Sequence, residues 1–318
     1  MGLDVSIREL GTLGGAVSQA KAVNRAGRVV GTSQDGLGRS RAFLWTEPLG
    51  IADLGPFTGV NCSANDINDP GDIVGGGDTG FGDFHAYLWS DGTSYDLSTL
   101  GGNESEALAL NAAGHVAGHS RIRDGAGQHA FLVPEPGRML DLGTLGGATS
   151  VAHAVNDGGA VVGVAETRAR EPHPFLWTAA GGMRDLGTLG APVGLALGIN
   201  NRTAVVGGSG HAFLWTEALG LVDLGTLGGR TSCANDVNDL GYIVGVSQTG
   251  ATDRRGQPIT HAFLRTPDGR LVDLGTLGGE HSAAAAISEE TGGTMWIAGH
   301  SHDAAAHIQA VRWAVRLG

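Results

Sequence analysis

Three histidines stand where comparable positions of the chain carry other residues. His119 and His300 each follow the end of a short apolar strand pattern, at places filled elsewhere by Thr32, Gly76, Val164, Gly208 and Val246. His302 lies two residues beyond His300, so a continued strand puts both on one face. An imidazole gives or takes a proton near neutral pH. The chemistry these residues imply is acid–base catalysis on a small organic molecule, with no organic cofactor. The His-X-His pair also offers two nitrogens to a divalent metal, but two ligands are thin evidence for a metal centre, and no metal ligand is assigned. Arg121 and Arg123 face Arg168 and Arg170 in the corresponding loops of neighbouring repeats. That spacing suits a carboxylate or phosphate clamp, and equally a solvated loop balanced by Glu166 and Glu171 beside Asp124. Phe81 and Phe84 add apolar contacts between Asp78 and Asp83, and Lys21, Glu106 and His153 are variable positions expected to line a central funnel.

These residues are held by a repeat. The string Asp-Leu-Gly-Thr-Leu-Gly-Gly occupies 141–147, 223–229 and 273–279, with a near copy at 185–190 and weaker ones at 9–15, 53–59 and 96–102. Seven copies spaced by about 44 residues match the period of a four-stranded propeller blade. Each repeat shows four apolar runs of about five residues bounded by Gly, Pro or Asn, which is a strand pattern. The third run recurs as His85-Ala-Tyr-Leu-Trp89, His173-Pro-Phe-Leu-Trp177 and His211-Ala-Phe-Leu-Trp215. Glycine (56 residues) falls at fixed places between the runs, as turns requiring positive φ demand.

The last repeat stops at Gly318 with no room for a fourth strand, while Val5 to Leu10 supplies a fourth-strand pattern with nothing before it. Joined, they complete one blade. The expected fold is all-β: residues 1–318 as one seven-bladed propeller of four-stranded blades, closed by the N-terminal strand, which leaves no open sheet edge. This use of the N-terminus outweighs the bare myristoylation pattern at Gly2.

The paired strings HAFLW and DLGTLGG, with AxAVN and VVG between them, resemble the HAF-repeat family over the whole chain. The resemblance implies a bacterial propeller-like repeat protein, of a kind mostly described as extracellular and without assigned activity, so it brings no catalytic residues.

Other polar positions repeat and so read as scaffold. His85, His129, His173, His211 and His261 open the third strand, and one active site needs no five equivalent histidines. Trp45, Trp89, Trp177, Trp215 and Trp313 read as packing between blades. The line Ala20, Ala64, Ala107, Ala152, Ala196, Ala234 and Ala284 implies a narrow centre. The Asn65-Asp66 and Asn235-Asp236 pairs interrupt the small residues and suit an acid–base couple or, more commonly, turn capping. Cys62 and Cys233 lie in repeats that are not neighbours, and two free thiols are expected.

The net charge of −12, with Lys21 the only lysine, excludes nucleic acid and disfavours an acidic membrane surface. No apolar run approaches a bilayer span and no signal-peptide pattern is visible. The reading is a cytoplasmic monomer, or an extracellular one if an export signal preceded it. Two functions remain open: a lyase-, cyclase- or hydrolase-type enzyme on a small molecule, or a non-catalytic module binding a glycan or protein at the rim.

Overall fold

The computed structural model describes residues 3–55, 60–123 and 127–318. Gly2, Gly59 and Asp124 lie outside the described residues. Among those described, the chain is built of strands, and no helix is long and apolar enough to cross a membrane.

After β1 (Leu3–Gly11), the strands group in fours. Unit 1 is β2 (Gly14–Val23), β3 (Val29–Asp35), β4 (Ser40–Thr46) and β5 (Gly50–Asp53). Unit 2 is β6 (Cys62–Ile67), β7 (Ile73–Asp78), β8 (Phe84–Ser90) and β9 (Thr93–Asp96). Unit 3 is β10 (Gly101–Leu110), β11 (Val116–Ile122), β12 (Gln128–Glu135) and β13 (Arg138–Asp141). Unit 4 is β14 (Gly146–Val155), β15 (Val161–Thr167), β16 (Pro172–Thr178) and β17 (Gly182–Asp185). Unit 5 is β18 (Leu195–Ile199), β19 (Val205–Ser209), β20 (His211–Thr216) and β21 (Gly220–Asp223). Unit 6 is β22 (Ser232–Val237), β23 (Ile243–Thr252), β24 (Pro258–Arg265) and β25 (Leu271–Asp273). Unit 7 is β26 (Gly278–Ile287), β27 (Thr294–Asp303) and β28 (Ile308–Leu317), and β1 pairs antiparallel with β28, Val5 opposite Val315 and Ile7 opposite Trp313.

The core lies between units. One buried apolar cluster fills each successive junction, for example Ala22, Val30 and Ala42 of unit 1 with Ala64 and Ile73 of unit 2. Another joins Ala298 and Ala310 of unit 7 to Ala20, Val29 and Phe43 of unit 1. The recurrent Ala line therefore packs against the preceding unit and does not face the centre as expected. It is paired with glycine on the second strand (Ala20 with Gly31), where a Cβ would sit 2.0 Å from the Gln19 carbonyl. Only glycine permits that approach.

Hydrogen bonds cross the same junctions. The amide of the third-strand alanine donates to a first-strand Ser hydroxyl of the next unit: Ala86 to Ser105, Ala130 to Ser150, Ala212 to Ser232, Ala262 to Ser282, and Ala310 to Ser18. Cys62 takes the serine's place for Ala42. Each first-strand Asn reaches forward as well, from Asn24 Nδ2 to the Asn68 carbonyl through Asn238 Nδ2 to the Ser288 carbonyl.

Unit 7 has Ser288 in place of that Asn, and Arg312 bridges to unit 1 instead. Its guanidinium lies 3.9 Å from the Trp296 ring centre and 4.5 Å from that of Trp45, donating to the Gly27 carbonyl and to Glu47. Arg312→Ala removes the stacking on two rings and strands the Gly27 carbonyl, while Glu47 keeps Arg8, so the unfolding free energy should drop by about 2 kcal/mol; an unchanged urea midpoint would show that this junction carries no load. Ser98 adopts φ 65° where the other units place Gly11, Gly143 or Gly225. Ser98→Gly should raise stability by about 1 kcal/mol in the same measurement, and a loss would refute the strain.

Candidate functional site

The repeated histidines and aspartates are consumed inside their own units. Nδ1 of His85, His129, His173, His211 and His261 meets the carboxylate of Asp96, Asp141, Asp185, Asp223 and Asp273 at 2.7–2.9 Å. The same aspartates cap the turn, as when Asp141 accepts the Gly143 amide. Arg41 does this work in unit 1, on Asp53. These histidines brace two strands and a turn. Both cysteines are free thiols.

The non-repeated residues are dispersed. His119 pairs with Glu106 across β10 and β11, and His300 takes the same register opposite Ala283 in unit 7. Both are half-buried. Burial depresses the basicity of His119 against the opposing pull of Glu106 and Glu104, and its Nδ1 has no partner. Burial depresses His300 too, aided by His302. Glu106, Glu104 and His153 act on His119, and His302 acts on His300; no hydrogen bond or ring contact joins His119 to His300 among the described residues. Arg121 pairs with Glu104 at 2.7 Å. Arg123 lies over Gly101, Arg168 lies over Gly146, and Arg170 sits in the Thr167–Glu171 turn at φ 64°. Arg121, Arg123 and Arg168 thus lie against their own units. Phe81 is 95% exposed, whereas the Phe84 ring covers Gly76.

Lys21 and His153 do line the centre. Every inner strand carries a register shift, between Ala20 and Ala22 in unit 1 and at equivalent places in the others. The extra residue of such a bulge leaves the ladder and is re-aimed. The seven bulge residues, Lys21, Asn65, Leu108, His153, Leu197, Asn235 and Ala285, together line a cavity of about 330 Å³. The same seven border a second cavity of about 180 Å³, which Asp66 and Asp236 also line. Lys21 Nζ donates to Asn65 Oδ1, and Asn65 Nδ2 and Ser63 Oγ donate to Glu106 at 2.9 and 3.1 Å. Burial lowers the Lys21 ammonium, opposed by Glu106. Burial takes His153 down to about 4, with His119 adding to the shift.

Asp66 and Asp236 stand where other units have Ala22, Ala109, Ala154 or Ala286. Each spans two units by accepting amides, Asp66 from Ile67 and Leu110, Asp236 from Val237 and Ile287. Despite those bonds, desolvation raises them to about 7 and about 6. Their geometry is that of backbone caps.

A second site opens at the rim between units 6 and 7. A cleft of about 600 Å³ is lined by Asp253, Arg254 and Arg255 from the longest loop and by Glu280, His281 and His302. His302 and His281 stand edge to face with ring centres 5.0 Å apart. Burial and then the His281 charge lower His302, while Asp303 and Glu280 oppose the shift. Asp253 accepts the amides of Gln257 and Arg255, which with the Arg255 charge hold it below the usual carboxylate range. Arg254 and Arg255 form no ion pair among the described residues. His281 and Glu280 escaped the sequence reading, because their strand position varies in every unit (Val17, Asn61, Glu104, Thr149, Val193, Thr231) and nothing singles out the seventh.

Asp253, Glu280 and His281 offer ligand atoms within 4.8 Å of one another. His281 Nδ1, however, accepts the Thr260 amide at 3.2 Å. A neutral imidazole has one proton, which then sits on Nε2, so neither nitrogen is free for a cation. The cleft presents an N–H donor, three carboxylates (Asp253, Glu280 and Asp303), two guanidinium groups and a second imidazole.

No family model matches the chain, and no curated protein matches it. Among solved structures, a puromycin hydrolase S511A mutant superposes with a TM-score of 0.56 at 15% identity, covering 91% of this chain and 51% of that one. A putative TolB from Agrobacterium tumefaciens superposes with a TM-score of 0.51 at 11% identity, covering 98% of both. The chain spans about half the length of the hydrolase. At such identities the likeness is one of fold: the chain is an all-β protein of the propeller kind.

The capping carboxylates have a signature in pH. An unfolded Asp titrates near 4, so between about pH 4 and 7 the native state keeps protons that the unfolded state has released. Their contribution to stability is full at the acid end and is lost as pH rises. His119 and His153 act in the opposite sense below about pH 6.5, so the readout is a difference. Wild type minus Asp66→Ala/Asp236→Ala, followed by urea midpoint from pH 4.5 to 8, should fall with rising pH; a flat difference would show that the carboxylates titrate normally.

Proposed function

We propose that the seven units close into a single seven-bladed propeller of the HAF-repeat kind, and that the cleft between units 6 and 7 binds a small anionic molecule and moves a proton on it. The repetition of one junction chemistry at every seam but one, the unit 7 to unit 1 seam included, supports the closure. The functional reading rests on one observation. The β23–β24 hairpin delivers two guanidinium groups without ion partners to a cleft that holds two imidazoles and three carboxylates, Asp253, Glu280 and Asp303.

Arg254 and Arg255 hold the anionic group of the substrate, as planar fork donors do well. His302 faces the cleft and, kept neutral by its surroundings, acts as the general base. His281, with Nδ1 occupied by Thr260, donates from Nε2 to the oxygen on which charge develops. Asp253 fixes the loop carrying the arginines. In this reading His119 and His300 leave the catalytic set, since no described cavity is lined by either. The fully exposed Phe81 on the loop face is the observation that favours the second reading, a rim binding a glycan or protein.

Thermal-shift screening of small carboxylates, lactones and phosphate esters tests the proposal. A ligand that raises the unfolding temperature of the wild type should not do so for Arg254→Ala/Arg255→Ala. His302→Ala should keep that shift and lose at least about 100-fold in turnover. Shifts that persist in the double variant, or full turnover by His302→Ala, would remove the assignment.

A further inference from the structure

We propose that the axial cavity is a carbonyl-binding site, in which Lys21 condenses with a small neutral hydroxy-aldehyde or hydroxy-ketone. The site is separate from the rim cleft and stands or falls independently of it. Lys21 is the only lysine of the chain, and it occupies one of the seven bulge positions aimed at the lumen. Units 3, 5 and 7 fill that position with Leu108, Leu197 and Ala285, so the scaffold closes without a polar group there. The amine is an addition peculiar to unit 1.

Its surroundings suit an amine that reacts. The partner of Nζ is a neutral amide oxygen, Asn65 Oδ1, whereas a structural lysine ordinarily meets a carboxylate. The carboxylate stands one step behind, on the other side of the same amide, where Ser63 and Asn65 fix Glu106. Burial favours the free amine, the form that is nucleophilic. His153, kept neutral, lines the cavity as well.

The lining also selects the ligand. Asn65, Asn235 and His153 offer hydrogen bonds, Leu108, Leu197 and Ala285 offer apolar contact, and about 330 Å³ accommodates a molecule of sugar size. Asp66 and Asp236 line the smaller cavity and Glu106 stands behind Asn65, three acids against one ammonium, so an anion gains little there. A neutral carbonyl compound bearing hydroxyls meets donors and acceptors instead.

The step balances without a further reactant. Glu106 takes a proton from the ammonium, and the nitrogen lone pair attacks the carbonyl carbon. The C=O π pair moves to oxygen, which takes a proton from the attacking nitrogen to give a neutral carbinolamine. Nitrogen then expels that hydroxyl as water, using the proton from Glu106, and a protonated imine remains. Hydrolysis reverses it.

Glycolaldehyde with sodium cyanoborohydride, which reduces an imine to a stable secondary amine, tests this at pH 7 on the full chain, with adducts located by peptide mapping. Lys21 should be labelled at least 10-fold faster in the folded protein than in the same chain unfolded in urea, with the terminal amine of Met1 as internal reference. Ala285→Phe, or Ala285→Leu if the first variant is unstable, should slow labelling of Lys21 and leave Met1 unchanged. Labelling no faster than in urea, labelling confined to Met1, or labelling indifferent to both cavity-filling variants would each overturn the proposal.

Discussion

Every unit of this protein leaves an apolar face, and every unit but the fourth a buried third-strand amide, that it cannot satisfy alone. The next unit supplies both the facing surface and the acceptor, a serine hydroxyl on its first strand or, for unit 1, the Cys62 sulfur. An unpaired buried amide costs about 1–3 kcal/mol, so the register between units is as tightly specified as that within a sheet. One junction lacks the bond. Pro174 has no amide to donate, and the facing position is Gly194, with no hydroxyl to accept. Donor and acceptor are missing together, which is what such a constraint requires.

That division of labour decides where function can reside. Histidines, aspartates, threonines and asparagines that recur in most repeats are spent on braces and caps. What remains free is the one bulge residue per unit that points to the lumen, and the loop between second and third strands. The lumen thereby acquires Lys21, Asn65, His153 and Asn235, and the rim acquires Arg254, Arg255 and His302. Both sites consist of departures from the repeat held by a frame that does not depart.

Much of the frame was legible in the sequence. The seven strings, the four apolar runs, and the N-terminal strand missing a partner led to the observed strands and to the pairing of β1 with β28. The role of the repeated histidines followed from their number. The Ala line, read as close approach of the inner strands, packs against the preceding unit; alternation says which residues share a face, but not which face meets the neighbour. Of Lys21, Glu106 and His153, expected at a central funnel, Lys21 and His153 line one cavity with a residue from each other unit, and Glu106 is not among its lining residues. Of the arginines, Arg121 pairs with Glu104, and Arg123 and Arg168 lie over glycines of their own units. His281 was missed because every unit varies at its position, and only the adjacent longest loop makes the seventh copy special.

The central claim is that the alanine-to-serine bond found at other seams also spans the seam between units 7 and 1. Native-state hydrogen exchange of individual backbone amides tests it most directly. Ala310, bonded to Ser18, should exchange as slowly as Ala262, bonded to Ser282, both through global unfolding. Ala310 exchanging orders of magnitude faster, as an edge strand that frays, would contradict the account.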